Sequence, residues 1–324
     1  MSTKTVNTIL LAALLAVTLS CGTGNRQTKL PMRVFPEISI PTLYDSDDAV
    51  AGYIAQHWWD ALLTPGEWYS DSVTVNGVAL DNVMMAMGTY ADCLSAIPVK
   101  DAAKAMGGLH AKLEAYMRAD TASSAYRVIV NLVEKYLYDP NSPYRNEDIY
   151  LPFVKAVSES EFIPDEVRAG YAHAAEMCAL NQYGTQVPDF RFKDINGRMH
   201  RFYDINAEHI LLFFSNPGCP ACREIIEHLN GMAEVDEMIA DGRLAIVNIY
   251  IDEELDEWKE YQSFYPKSWH NGYDPDYVIR TDLLYNVRAI PSLYVLDSEK
   301  RVIMRDAPEE RVFEWIEHNN QLHK

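Results

Sequence analysis

The hydrophobic pattern of this 324-residue chain changes period once, near Gly184, and that change limits the fold more than any other feature. From Asp47 to about Gly184 apolar residues recur at helical spacing almost throughout. Beyond it, short apolar runs of strand length alternate with amphipathic helical stretches. A single hydrophobic core usually stops growing at ~250 to 300 residues, so two units are expected. Residues 46–184 read as an all-α domain of about six helices, and residues 185–324 as a sheet with helices packed on it.

In the first unit, Val50, Tyr53, Ile54, His57 and Trp58 share a helical face behind Ser46, a plausible N-cap. Further helices are expected near Leu80 to Ile97, Lys100 to Met117, Ala122 to Leu137, Asn146 to Val157 and Pro164 to Leu180. The breaks between them carry turn residues: Pro65-Gly66, Ile97-Pro98, and Asp139-Pro140-Asn141-Ser142-Pro143. The cluster His57-Trp58-Trp59-Asp60 has the composition of a stacking site for a sugar or peptide. Aromatics at helical spacing are more often core, and His57 is expected on the buried stripe with them. Cys93 and Cys178 each lie near apolar neighbours at helical spacing. Two buried thiols and one disulfide between them are both open readings, because spacing does not give their separation.

In the second unit, short strands near Phe190 to Lys193 and His200 to Tyr203 flank an Asn196-Gly197 turn. Ile210 to Phe214 is a continuous apolar run, as expected for a central strand covered on both faces. It leads through Ser215-Asn216-Pro217-Gly218 into Cys219-Pro220-Ala221-Cys222 and a helix with Ile225, Ile226, Leu229 and Met232 as apolar positions. A second buried strand is expected at Leu244 to Ile251, then a helix around Leu255 to Phe264, strands at Ser292 to Leu296 and Val302 to Arg305, and a closing helix from Pro308 to His318.

A cysteine pair two residues apart, at the point where a strand turns into a helix, has geometry suited to redox chemistry. Cys219 sits at the helix N-terminus, where unpaired backbone N–H groups and the dipole favour a thiolate. It is the expected attacking nucleophile. Cys222, one turn on, is placed to resolve a mixed disulfide, and Pro220 suits the first helical turn. A zinc site would need two further ligands at paired spacing, which Cys21, Cys93 and Cys178 do not supply, so no metal is expected. As a structural disulfide the pair would close too small a loop to constrain the unfolded chain much.

At the other end, Lys4 and the apolar run Ile9 to Leu19 read as an export signal over residues 1–20, well short of the ~20 apolar residues a membrane span needs. The run ends in Thr18-Leu19-Ser20-Cys21, which resembles the lipobox of bacterial lipoproteins. That resemblance implies lipidation of Cys21 and a membrane anchor, with residues 21–45 as a tether. Ordinary cleavage would instead leave Cys21 as a free thiol. The net charge of -19 is spread without long acidic runs and disfavours nucleic-acid partners.

Strand, C-x-x-C, helix and the late Ile290-Pro291 before a strand together resemble the thioredoxin superfamily over about Val187 to Lys324. The export signal and the extra region between Glu253 and Tyr285 are similar to its TlpA and ResA branch. The resemblance implies a central mixed β-sheet flanked by helices and a cis proline at Pro291, which with Ile290 shapes a substrate groove facing the cysteines. It also implies thiol-disulfide exchange on protein thiols and disulfides without metal or organic cofactor, in the reducing direction, with electrons from a membrane donor. Two positions depart from the family: Gly218 stands where an aromatic Trp is common, and Phe213 where thioredoxin has a buried Asp. Glu224 could substitute for that Asp but reads better as a helix-surface carboxylate. The segments Tyr53 to Asp60 and Tyr136 to Val157 resemble an uncharacterised helical domain that precedes thioredoxin-like domains in bacterial lipoproteins. Two other functions stay open. A peroxiredoxin usually has a Thr three residues before its cysteine, where this chain has Asn216; a lipid-anchored binding or assembly protein would carry the redox pair as a vestige.

Overall fold

The computed structural model describes residues 32–64 and 73–322. The signal segment, Cys21 and the rest of the tether up to residue 31 lie outside them.

Helix α1 (Asp47–His57) starts at Ser46, whose Oγ accepts the Ala49 N–H at 3.3 Å, and has Asp47 and Asp48 in its first turn, where the helix dipole favours them. A two-stranded hairpin, β1 (Thr74–Val75) and β2 (Val78–Ala79), precedes α2 (Leu80–Ser95) and α3 (Val99–Ala119). Then come α4 (Ala125–Leu137), α5 (Glu147–Glu159) and α6 (Asp165–Cys178). Asn146 caps α5, its Oδ1 accepting the Asp148 and Ile149 N–H groups at 3.1 Å. One continuous core runs through these helices, with Trp59, Tyr90, Leu113, Tyr126, Phe153 and Val157 buried in it.

The aromatic cluster on α1 differs from its expected placement. Ala55 and Trp59 are the buried residues, whereas the His57 side chain is 40% exposed, stacks on Tyr53 and binds Asp60 at 2.7 Å. Trp59 takes the inward direction because the chain leaves the helix there and runs on into the buried Leu62 and Leu63.

The second unit is a seven-stranded sheet in the order β4-β3-β7-β6-β5-β8-β9. Its strands are β3 (Arg191–Lys193), β4 (Met199–Arg201), β5 (His209–Phe214), β6 (Leu244–Tyr250), β7 (His270–Tyr273), β8 (Ser292–Asp297) and β9 (Val302–Met304). β5 pairs parallel with β6 and antiparallel with β8, so the sheet is mixed, as expected. One face packs against α7 (Pro220–Gly231), α8 (Ala233–Ala240) and α11 (Glu309–Gln321). The other packs against Phe202, Tyr285 and α10 (Val278–Thr281). Both faces of β5 and β6 are thereby covered, which is why these strands read as unbroken apolar runs.

Besides the β1–β2 hairpin, which the all-α reading of the first unit did not include, and the short α10, two further elements escape the sequence pattern. α8 was hidden by its closeness to α7. β7, with the sequence His-Asn-Gly-Tyr, has no apolar run, but it fills the slot between β3 and β6. Gly272 is required there, since a Cβ would lie 2.4 Å from Phe192 Cδ2 and 2.8 Å from the Lys193 carbonyl. The stretch Leu255 to Phe264 is a short helix α9 (Leu255–Glu260) followed by a 3-10 turn, Tyr261–Ser263. Past Gly184 the chain lies along β9: Gly184 N–H donates to Val302 O at 2.8 Å and Val187 N–H to Lys300 O at 3.0 Å, which covers an otherwise open edge. Among the described residues no helix is long and apolar enough to cross a membrane.

Candidate active site

The register of β5 and β8 builds the site. Phe214 lies opposite Ser292, so the chain leaving β5 toward Cys219 and the chain entering β8 through Ile290-Pro291 meet at one end of the sheet. The Ile290-Pro291 peptide bond is cis. Ile290 and Cys219 both pack, partly buried, against the core that holds Cys222.

Between β5 and α7 the chain makes a tight turn in which Gly218 has φ +73°, a left-handed conformation that disfavours side chains. That accounts for glycine at the position where the family often carries a tryptophan. The turn sets Cys219 as the N-cap of α7 with extended backbone, and Pro220 opens the helix. The Cys222 N–H donates to Cys219 Sγ at 3.2 Å, so one of the helix's unpaired donors is aimed at the sulfur. Both cysteines are free thiols. Cys219 is half-buried, whereas Cys222 is buried, and burial together with the adjacent Cys219 sulfur raises its pKa far above that of an ordinary thiol. The two sulfurs are therefore unequal: one can be reached from solvent with a donor beside it, and the other is sheltered and protonated.

Several neighbours were not anticipated from sequence. Tyr261 and Phe264, from the turn after α9, pack with their rings tilted and their centres 4.9 Å apart, and the Arg223 guanidinium lies 5.1 Å from the Phe264 ring. Burial, the largest cause, raises the Tyr261 pKa, and the Arg223 charge offsets part of the rise. On the same face of the sheet lies a buried polar group. Ser215 Oγ donates to Asn248 Oδ1 at 2.5 Å, and Asn248 Nδ2 to Asn271 Oδ1 at 3.1 Å. The Tyr265 hydroxyl lies beside Ser215 and Asn248 without an ordinary hydrogen bond, and burial pushes it up to about 12. One polar residue inside the apolar Leu244–Tyr250 strand was the visible sign of this group. Phe213 is fully buried, and Glu224 faces solvent, as read. Cys93 and Cys178 are separate free thiols; Cys93 Sγ donates to the Ala51 carbonyl at 3.5 Å, and Cys178 is fully buried. Among the described residues no group of three or more His, Cys, Asp or Glu side chains could hold a metal ion.

A mixed sheet with a cysteine pair capping the helix after its central strand, and an Ile-cis-Pro entering the neighbouring strand, is the thioredoxin-like fold. Residues 16–181 match the family described as Domain of unknown function (DUF5106). A thioredoxin-like protein from Bacteroides caccae ATCC 43185 has a similar crystal structure, with a TM-score of 0.75 and 31% identity over 88% of this chain and 99% of that one. The chain therefore belongs to the thioredoxin-like proteins that carry this helical domain at their N-terminal side. The C-terminal domain of an uncharacterized protein from Bacteroides fragilis NCTC 9343 is 41% identical, covering 42% of this chain and 98% of its own, with a TM-score of 0.41. A domain of a possible thiol-disulfide isomerase from Cytophaga hutchinsonii ATCC 33406 is 22% identical, covering 45% of this chain and 98% of its own, with a TM-score of 0.37. No curated protein matches the chain.

Proposed function

We propose that this protein is an extracytoplasmic thiol-disulfide oxidoreductase that reduces protein disulfides through Cys219 and Cys222. The observation that carries the reading is the asymmetry of the pair: an accessible Cys219 Sγ accepting the Cys222 N–H at 3.2 Å, with the Cys222 thiol buried behind it.

The Cys219 thiolate attacks one sulfur of a substrate disulfide. A Cys219–substrate bond forms, the substrate S–S bond breaks, and the departing thiolate takes up a proton. Cys222 then loses its proton and attacks Cys219 Sγ, which expels the second substrate thiol and leaves a Cys219–Cys222 disulfide. Two electrons pass to the substrate, and a dithiol donor, supplied by a membrane reductase, returns the pair to its starting state. Ile290 and Pro291 contribute the facing wall of the substrate groove. Residues 46–184 and 185–324 fold as two domains, and Cys21 is lipidated, tethering them through residues 21–45 to a membrane on the periplasmic side or the cell surface.

Insulin reduction with dithiothreitol tests the chemistry. The wild type should accelerate precipitation of the insulin B chain and Cys219→Ser should not; equal rates for the two would reject the assignment. The anchor is tested by fractionation, where Cys21→Ser should move the protein from membranes to the soluble fraction. Retention of that variant in membranes would mean a different anchor.

A further inference from the structure

The helical domain carries no assigned activity, yet its contacts with the sheet domain converge on the loop that presents Ile290 and Pro291. At the start of that loop Asn286 Nδ2 donates to Glu147 Oε1 at 2.7 Å. Arg288 donates to the Tyr138 carbonyl, lies 3.9 Å from the centre of the Tyr138 ring, and pairs with Glu147 at 2.9 Å and Asp306 at 3.2 Å. At the loop's end Ser292 Oγ donates to Asp306 Oδ1 at 2.8 Å. Asp306 is gripped in turn from the helical domain: Arg145 Nε donates to its carbonyl at 2.8 Å and Arg145 Nη2 to the Ala307 carbonyl at 2.9 Å. Arg305 completes the cluster, 3.4 Å from Glu147 and 3.1 Å from Asp148.

Three arginines thus meet three carboxylates, and none of the six side chains is more than 14% exposed. Docking alone does not call for such a cluster, because desolvating paired charges offsets most of their attraction and apolar residues of similar volume would hold two domains together as well. What a connected polar network adds is one defined geometry. Its central node is held in an unusual one: Asp306 has φ +42°, a left-handed conformation that ordinary side chains avoid.

We propose that the helical domain is a clamp on the substrate-facing loop, with Arg145 and Glu147 as positioning residues that act through Asp306, Arg288 and Ser292 to set residues 286–292 beside Cys219. The proposal rests on the thiol-disulfide reading for its functional consequence but not for the clamp itself. It names the work of the helical domain: seating an extended protein substrate, without touching the sulfurs.

The test uses the full chain and three variants. Glu147→Gln keeps the shape and the oxygen that Asn286 binds but removes the charge facing two arginines. Arg145→Lys keeps the charge but cannot span both carbonyls. Ser292→Ala cuts only the last link and leaves the helical domain untouched, so it stays informative if either of the others folds poorly. Hydrogen exchange at the amides of residues 286–290 and 292 reports the loop. It should quicken about tenfold in each variant, with the β5 and β6 amides unchanged. Insulin reduction should show a KM raised about fivefold, with kcat and the rate of Cys219 alkylation within about twofold of wild type. Unchanged exchange in the loop would overturn the clamp whatever the activity, as would a lowered melting temperature with KM unmoved. Quickened loop exchange in a chain whose wild type reduces no insulin would uphold the clamp and reject the oxidoreductase reading instead.

Discussion

Cys219 and Cys222 are separated by two residues, and the difference between them comes from depth. The turn at Gly218 leaves Cys219 at the helix mouth with a backbone donor on its sulfur, while the first turn of α7 carries Cys222 beneath the surface among Ile225, Ile226 and Leu293. Burial and the neighbouring sulfur hold the Cys222 proton, so the buried thiol is a poor nucleophile until Cys219 is engaged. Iodoacetamide at mildly acidic pH should therefore label Cys219 well before Cys222, as peptide mapping would show. Cys222→Ala should accumulate a mixed disulfide with substrate and Cys219→Ala none, read on non-reducing gels; equal trapping by both would refute the division of labour. The position and polarity of this pair were legible in the sequence. Its aromatic surroundings, Tyr261 and Phe264, were not, because they come from a turn about forty residues away whose path no local pattern specifies.

Helices and strands illustrate the same contrast between local signal and context. α5 begins where Asn146 and two acidic residues announce it, and β5 is where an unbroken apolar run requires a covered strand. β7 exists because β3 and β6 need a strand between them and Gly272 lets it approach Phe192, a requirement that appears only once the sheet is assembled. In the helical domain, His110 on α3 is buried against Phe153, with its Nε2 2.9 Å from the Tyr126 hydroxyl. Burial, the largest influence, sets His110 below its ordinary 6.5; Glu114 pulls it up and Arg118 down. As pH falls through 6.5 the unfolded chain takes up a proton that the folded chain does not, so stability present above that pH is lost progressively below it, by at most ~1.4 kcal/mol per pH unit. The melting temperature should fall between pH 6.5 and 5, and His110→Gln should flatten that part of the profile. A variant profile parallel to the wild type would place the pH dependence elsewhere.

For the whole molecule, the boundary near Gly184 is real in pattern but not a free hinge. The chain there lies along β9, and Arg145, Glu147 and Asp148 reach across into Arg288, Arg305 and Asp306. This contact is polar and charge-balanced, so exposing it uncovers groups that water solvates readily rather than an apolar patch. A fragment spanning residues 182–324 should accordingly be soluble and monomeric by size exclusion and keep insulin-reducing activity, but with the raised KM expected of an unclamped loop. Aggregation of the fragment would mean that the helical domain shields apolar surface of the sheet domain.

Local chemistry settled much of this protein in advance. Hydrophobic period separates a helical half from a sheet half, cap and turn residues bound most elements, and a C-x-x-C at a strand-to-helix junction marks the candidate redox pair, because each of these depends on residues a few positions apart. Only tertiary structure could decide which side of α1 turns inward, that β7 exists, and that Ser215, Asn248 and Tyr265 gather behind the cysteines. It also decided that Glu147 and Asp306, 159 positions apart, share one arginine, Arg288. Buried charges of that kind leave no periodic trace: an arginine bound for an interface and an arginine bound for solvent look alike until the surfaces that desolvate them are brought together.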